Sequence, residues 1–234
     1  TAFGYPVSST DSTICLKGGG RLTACDIDVP ADISSAAFFM VAASIAKGSD
    51  LTLEHVGINP TRTGVIDILQ LMGANIELLN KREVGGEPVA DIRIRSSQLK
   101  GVKIPENLVP LAIDEFPVIF VAAACAQGET VITGAEELRF KESDRIQGMA
   151  DGLQLLGVDA SPTDDGMVIQ GGDILCGKVH ARDDHRIAMA FTVAGLRASS
   201  DIYIEDCINV NTSFPDFIGL ANSVGLKVTA KEVN

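Results

Sequence analysis

The sequence predicts an α/β fold of three units arranged around one core, with apolar helices at the centre and sheets outside them. Three segments of the chain carry that prediction because they read alike: Ile33 to Asn59, Ile113 to Arg139 and Asp184 to Val210. Each has a polar start, a small-residue apolar helix, a turn and an alternating strand, namely Leu51 to Leu53, Val131 to Thr133 and Ile202 to Ile204. A second helix follows each time, and each ends in a glycine: Gly73, Gly157 or Gly225.

The first helices are apolar almost all round, which places them inside. The longest uncharged runs, Ala36 to Ala46 and Phe116 to Ala126, belong to two of them. Both fall short of the roughly 20 residues that span a bilayer and read as buried helices. The second helices show helical spacing at Val65, Ile68, Leu69 and Met72, then at Ile146, Met149, Ala150 and Leu153, and finally at Phe214, Phe217, Ile218 and Ala221. Strands are expected after the three glycines, at Asn75 to Leu79, Val158 to Ser161 and Lys227 to Ala230.

Residues 1–28 do not match the unit. Ser12 to Lys17 and Arg21 to Asp28 read as two strands around the Gly18–Gly20 turn, the tail of some preceding structure. Asp28-Val29-Pro30 is the expected boundary.

Charge and composition narrow the function. The chain has 19 basic and 31 acidic residues, a net charge of −12, which repels nucleic acid and anionic membrane at long range. An anionic ligand must therefore be attracted locally. The five cysteines (Cys15, Cys25, Cys125, Cys176 and Cys207) form no CxxC pair, so a disulfide framework is not expected. His55, His180 and His185 have no zinc-ligand spacing with them, and no metal is expected. No signal peptide is visible, although Thr1 is not an initiator Met, and a reduced cytoplasmic setting follows.

If the three central helices run parallel, their starts share one end of the domain, and their N–H groups make it attractive to anions. Ser34 and Asp184 read there as N-caps. For Asp114, cap and catalyst are both open, because Glu115 and Pro117 already suit the first turn. Arg186 begins an apolar helix, where the dipole disfavours a cation by ~0.3–1 kcal/mol. Arg139, Lys141, Glu142 and Arg145 crowd another helix entrance. Two such clusters at one end of an acidic domain point to an anion site, since Arg grips phosphate or carboxylate with two N–H groups.

Five strings carry a family resemblance. They are RFKESDRI (Arg139 to Ile146), DDHRIAMA (Asp183 to Ala190), DISSAAFF (Asp32 to Phe39), NPTRTG (Asn59 to Gly64) and SFPDF (Ser213 to Phe217). In this order, along essentially the whole chain, they resemble the C-terminal half of the 5-enolpyruvylshikimate-3-phosphate synthase family. The resemblance implies an enolpyruvyl transferase-type domain of three βαβαββ units at about 29–98, 99–172 and 173–234, with residues 1–28 a remnant of the second, acceptor-binding domain. It implies transfer of the enolpyruvyl group of phosphoenolpyruvate to the 5-hydroxyl of shikimate 3-phosphate, with no cofactor. Asp114 would handle the proton of the attacking hydroxyl, and Glu142 would exchange one with the methylene carbon. Lys141 would contact shikimate 3-phosphate, and Arg145 and Arg186 would hold phosphoenolpyruvate with His185 beside them.

Two departures from the family pattern stand out. Thr212 occupies a position where some members carry a phosphate-contacting Lys. Members are also close to twice this length, so the partner expected first is the missing N-terminal half, and the chain alone is expected to be inactive. Three other readings stay in view. UDP-N-acetylglucosamine enolpyruvyl transferases share the fold and donor, but RFKESDR and DDHR favour the shikimate enzyme. The RNA 3′-phosphate cyclase type should show a basic face, which the acidic balance opposes. An isolated, non-catalytic binding domain is the third.

Overall fold

The structure is a computed structural model and describes residues 3–231. The outer limits expected at residues 1 and 234 lie outside them. The described chain opens on a hairpin of β1 (Val7–Thr10) and β2 (Thr13–Leu16), antiparallel and exposed throughout. β2 lies within the strand expected at 12–17, but it pairs with β1, and no strand forms at 21–28. The Thr10↔Thr13 pairing puts the turn at Asp11-Ser12, with Asp11 at φ 50°. Asp tolerates that left-handed conformation, so a two-residue turn forms there and the glycine run is left outside the ladder.

The next stretch holds α1 (Ile33–Ile45), β3 (Asp50–Gly57), α2 (Gly64–Leu71), β4 (Asn75–Val84) and β5 (Glu87–Arg95). The strands form an antiparallel sheet in the order β3-β5-β4, and Ala31 pairs parallel with Val56 of β3 across α1. The same order recurs in α3 (Phe116–Ala124), β6 (Glu129–Ile132), α4 (Arg145–Leu155), β7 (Asp159–Thr163) and β8 (Gly166–Gln170). Here the sheet order is β6-β8-β7, and Lys103 pairs parallel with Val131. A third stretch has β9 (Gly177–His180) parallel to β10 (Ile202–Glu205), with α5 (His185–Ala194) between them. It continues through α6 (Val210–Ser213) and α7 (Phe217–Ser223).

The strand expected at Lys227 to Ala230 does not form. β4 and β7 each pair with the strand that follows, and among the described residues no such partner follows here. Asn222 takes the ladder's place: Val228 N–H donates to its Oδ1 at 2.8 Å, and its Nδ2 donates to Val228 O at 2.9 Å.

The glycines after α2, α4 and α7 have one geometry. Gly73, Gly157 and Gly225 lie at φ 89°, 80° and 103°, where a Cβ is strained. Each donates to the carbonyl three residues back (Gln70, Gln154, Asn222), and the next residue donates to the carbonyl five back (Leu69, Leu153, Ala221). These are three Schellman caps, each turning a helix into the chain beyond it.

Helices α1, α3 and α5 pack on one another in the core. Every residue of α3 is buried, and so is all of α1 except Ser35. They run the same way: their starts touch at the site described below, and beyond the end of α5 Arg197 Nη1 donates to Ile45 O at the end of α1 (3.3 Å). The sheets cover this trio, and Phe217 of α7 packs against Phe38 and Phe39 of α1 at 6.2 and 6.0 Å between ring centroids. Among the described residues no helix is long and apolar enough to cross a membrane.

Candidate active site

The starts of α1, α3, α4 and α5 meet at one end of the domain. α1 is capped by Asp32, whose Oδ2 accepts from Ser35 N–H at 2.9 Å. This corrects the expectation for Ser34, which sits inside the first turn, is buried, and turns its hydroxyl to Glu115. α5 is capped by Asp184, whose Oδ1 accepts from Arg186 N–H at 2.9 Å and Ile187 N–H at 3.4 Å. Asp114 caps nothing. It lies in the 3-10 turn Ile113–Glu115 ahead of α3, with its carboxylate on the site.

Arg145 opens α4 and is fully buried, a position a guanidinium holds only when its donors are matched. Its Nε donates to Asp184 Oδ2 at 2.8 Å and its Nη2 to Glu142 Oε2 at 2.5 Å. Arg186 Nη1 donates to the Asp114 carbonyl at 2.8 Å. With these edges anchored, other edges of both guanidinium groups face the Asp114 carboxylate more loosely. Arg145 Nη1 lies 3.6 Å from its Oδ1, and Arg186 Nη2 lies 3.9 Å from its Oδ2. Lys141 Nζ is 3.3 Å from the same Oδ1 and also bonds Glu137. One carboxylate thus faces three cations. These contacts are longer than the hydrogen bonds that anchor the two guanidinium groups.

The charges set the protonation of the two neighbouring acids apart. Burial pushes Asp114 up, but Arg186, Lys141 and Arg145 together outweigh it and hold the carboxyl below its usual range. Burial pushes Glu115 above its usual range, although Ser34 and Arg186 oppose it. Burial lowers the His185 imidazole, and the hydrogen bond to Glu137 raises Lys141. Glu142, with its side chain 52% exposed, is open to a ligand.

All six residues singled out in the sequence lie at this end: Lys141 and Arg145 against Asp114, Glu142 against Arg145, Arg186 against Asp114, and half-buried His185 between Asp184 and Arg186 in the chain. Arg139, counted with that charge cluster, is spent elsewhere. It holds Asp144 and the carbonyls of Thr163 and Asp164 at 2.5–2.8 Å. Two acids exceed their expected parts: Asp184 clamps Arg145 besides capping α5, and Glu115 joins Ser34 to Arg186. A second carboxylate directly after Asp114, entering a wholly apolar helix, was the available signal for Glu115.

Fold and site together define an α/β domain whose converging helix starts gather Lys141, Arg145 and Arg186 around the Asp114 carboxylate. The family model for EPSP synthase (3-phosphoshikimate 1-carboxyvinyltransferase) matches residues 1–220, and the chain belongs to that family. The 3-phosphoshikimate 1-carboxyvinyltransferase of Alkalilimnicola ehrlichii is 68% identical over 228 residues, covering 97% of this chain and 51% of the relative. That of Methylococcus capsulatus is 66% identical over 226 residues, with 97% and 52% covered. A solved EPSP synthase from Acinetobacter baumannii superposes with a TM-score of 0.96 at 56% identity, covering 99% of this chain and 54% of its own. An enolpyruvyl transferase from Streptomyces tendae shares the fold at a TM-score of 0.75 and 17% identity. The chain spans about half the length of the curated relatives it matches.

Proposed function

We propose that this chain supplies the C-terminal half of a 3-phosphoshikimate 1-carboxyvinyltransferase. The enzyme moves the enolpyruvyl group of phosphoenolpyruvate to the 5-hydroxyl of shikimate 3-phosphate and releases phosphate. The observation that carries this reading is the Asp114 carboxylate facing Lys141, Arg145 and Arg186 where the helix starts converge.

The chemistry assigns each group a part. Arg145 and Arg186 hold the phosphoenolpyruvate anion by their loosely engaged edges, with His185 beside them, and Lys141 contacts shikimate 3-phosphate. Glu142 gives a proton to the methylene carbon, and positive character develops at the neighbouring carbon. The 5-hydroxyl attacks that carbon while Asp114 takes its proton, giving a tetrahedral ketal. Phosphate then leaves with the C–O bond pair and takes up the proton held by Asp114, and the methyl group returns a proton to Glu142 to regenerate the enol ether. Acid and base steps of this kind each contribute ~10²–10⁴-fold. Holding two reactants in register adds up to ~7–11 kcal/mol. Thr212 removes one phosphate contact that some family members have.

In this reading residues 1–28 belong to the acceptor-binding domain, and residues 29–234 form the catalytic half in three units (29–98, 99–172 and 173–234). The exposed apolar residues of the opening segment, among them Ile14, Leu16 and Leu22, support that division. The working partner is the other half of the same enzyme, in the cytoplasm, and the chain alone turns over little or no substrate. The test joins this chain to the remaining half of its Alkalilimnicola relative and follows phosphate release from phosphoenolpyruvate. Release that requires shikimate 3-phosphate is expected. Release driven by UDP-N-acetylglucosamine, or equal release by the chain alone, contradicts the proposal.

A further inference from the structure

Glu115 takes no part in the steps above, yet its position is costly. Its side chain is 5% exposed, and a carboxylate there gives up most of its hydration. Its Oε1 accepts from the Ser34 hydroxyl and lies 3.8 Å from Arg186 Nη1. The same Ser34 Oγ receives Arg62 Nη2 at 2.7 Å, and that Nη2 is 3.2 Å from Asp32 Oδ1. The four groups Arg62, Ser34, Glu115 and Arg186 therefore run in series from the loop before α2, through the start of α1, to the starts of α3 and α5. A purely structural bridge between α1 and α3 needs no charge, since an amide at residue 115 accepts from Ser34 equally well. The charge acts on Arg186 and, less strongly, on Arg62. At Arg186, Nη1 has two partners, the Asp114 carbonyl at 2.8 Å and the Glu115 carboxylate. The hydrogen bond and the longer ion pair on one nitrogen restrict the plane of the guanidinium, whose Nη2 lies 3.9 Å from the Asp114 carboxylate.

We infer that Glu115 is a positioning residue for the anion site: its carboxylate, steadied by Ser34, orients the Arg186 guanidinium toward phosphoenolpyruvate. The inference rests on the role proposed above for Arg186. Burial holds the Glu115 carboxyl above its usual range, so the ionised form is kept there against a penalty.

The test titrates the 234-residue chain with phosphoenolpyruvate by calorimetry and follows the Arg186 Nε–Hε resonance in protein labelled with ¹⁵N-arginine. Glu115→Gln keeps the volume and the Ser34 bond and removes the charge. It is expected to weaken binding about tenfold, the scale of one contact to a charged group, and to shift the Arg186 resonance in the ligand-free protein. Binding within twofold of the parent together with an unmoved resonance overturns the inference. Should Glu115→Gln not fold, Ser34→Ala is read in the same way, because it removes the hydroxyl alone and should move the same resonance; an unmoved one overturns the inference. Arg186→Ala separates the two readings. If it binds phosphoenolpyruvate like the parent, the anion-site reading fails, while the resonance in Glu115→Gln still reports whether Glu115 orients Arg186.

Discussion

Arg145 Nε lies 2.8 Å from Asp184 Oδ2, and the two side chains are 1% and 0% exposed. This buried pair joins the first residue of α4 to the cap of α5, so one carboxylate both closes a helix and neutralises a guanidinium. Everything else at the site is arranged around that fixed cation.

Removing Asp184 should therefore destabilise the domain more than removing any exposed acid. Asp184→Ala strands a buried charge at a cost of ~3–5 kcal/mol and also uncaps α5, about 1 kcal/mol more. Asp184→Asn keeps a capping oxygen and should lose only the first part. Urea unfolding midpoints of the two variants check this, and equal losses would show that the cap contributes nothing.

Glu142→Gln should act on rate and not on stability, because its carboxylate is half exposed. In the enzyme completed with the remaining half, kcat should fall ~10²–10⁴-fold while KM for phosphoenolpyruvate changes little. Full activity per folded molecule with a lowered melting temperature would assign Glu142 a structural part.

Stability should depend on pH through Glu115. Its folded pKa is raised above the ordinary 4.5, chiefly by burial. Between those two values the folded state binds more protons than the unfolded state, so stability falls as pH rises. Glu115→Gln lacks this dependence. The advantage of the Gln variant should accordingly grow as pH climbs from 4.5 and level off once the folded carboxyl has ionised. Unfolding free energies at a series of pH values test it, and a constant difference would contradict the raised pKa.

Two glycines should fail on substitution for different reasons. At Gly73, with φ 89°, an added Cβ meets only Gln98 O at 3.7 Å, so Gly73→Ala costs ~1–2 kcal/mol through the backbone alone. At Gly152 inside α4 the Cβ falls 2.2 Å from Cζ of buried Phe191, which costs ~1–3 kcal/mol despite the better helix propensity of Ala. A second change, Phe191→Leu, should lessen the loss from Gly152→Ala and leave that from Gly73→Ala unaltered, as a double-mutant cycle reads directly.

Much of this architecture was legible in the chain because its causes are local. The apolar runs at Ala36 and Phe116 became the buried helices α1 and α3, and the glycines after α2, α4 and α7 took the left-handed caps their spacing implied. What escaped depended on distant partners. Among the described residues the alternation at 227–230 has no neighbouring strand, and the opening hairpin turned at Asp11 instead of the glycine run. Ser34 looked like a cap because its true partner, Glu115, stands 81 positions away. The link from Glu115 to Arg186 likewise arises only once the starts of α3 and α5 come together.

Amide mapping of the ¹⁵N-labelled chain during titration with phosphoenolpyruvate measures most directly whether the converging helix starts bind an anion. The largest shifts should fall at residues 33–36, 114–118, 141–147 and 184–188, and they should weaken with added salt. Shifts concentrated elsewhere, or none at millimolar ligand, would contradict it.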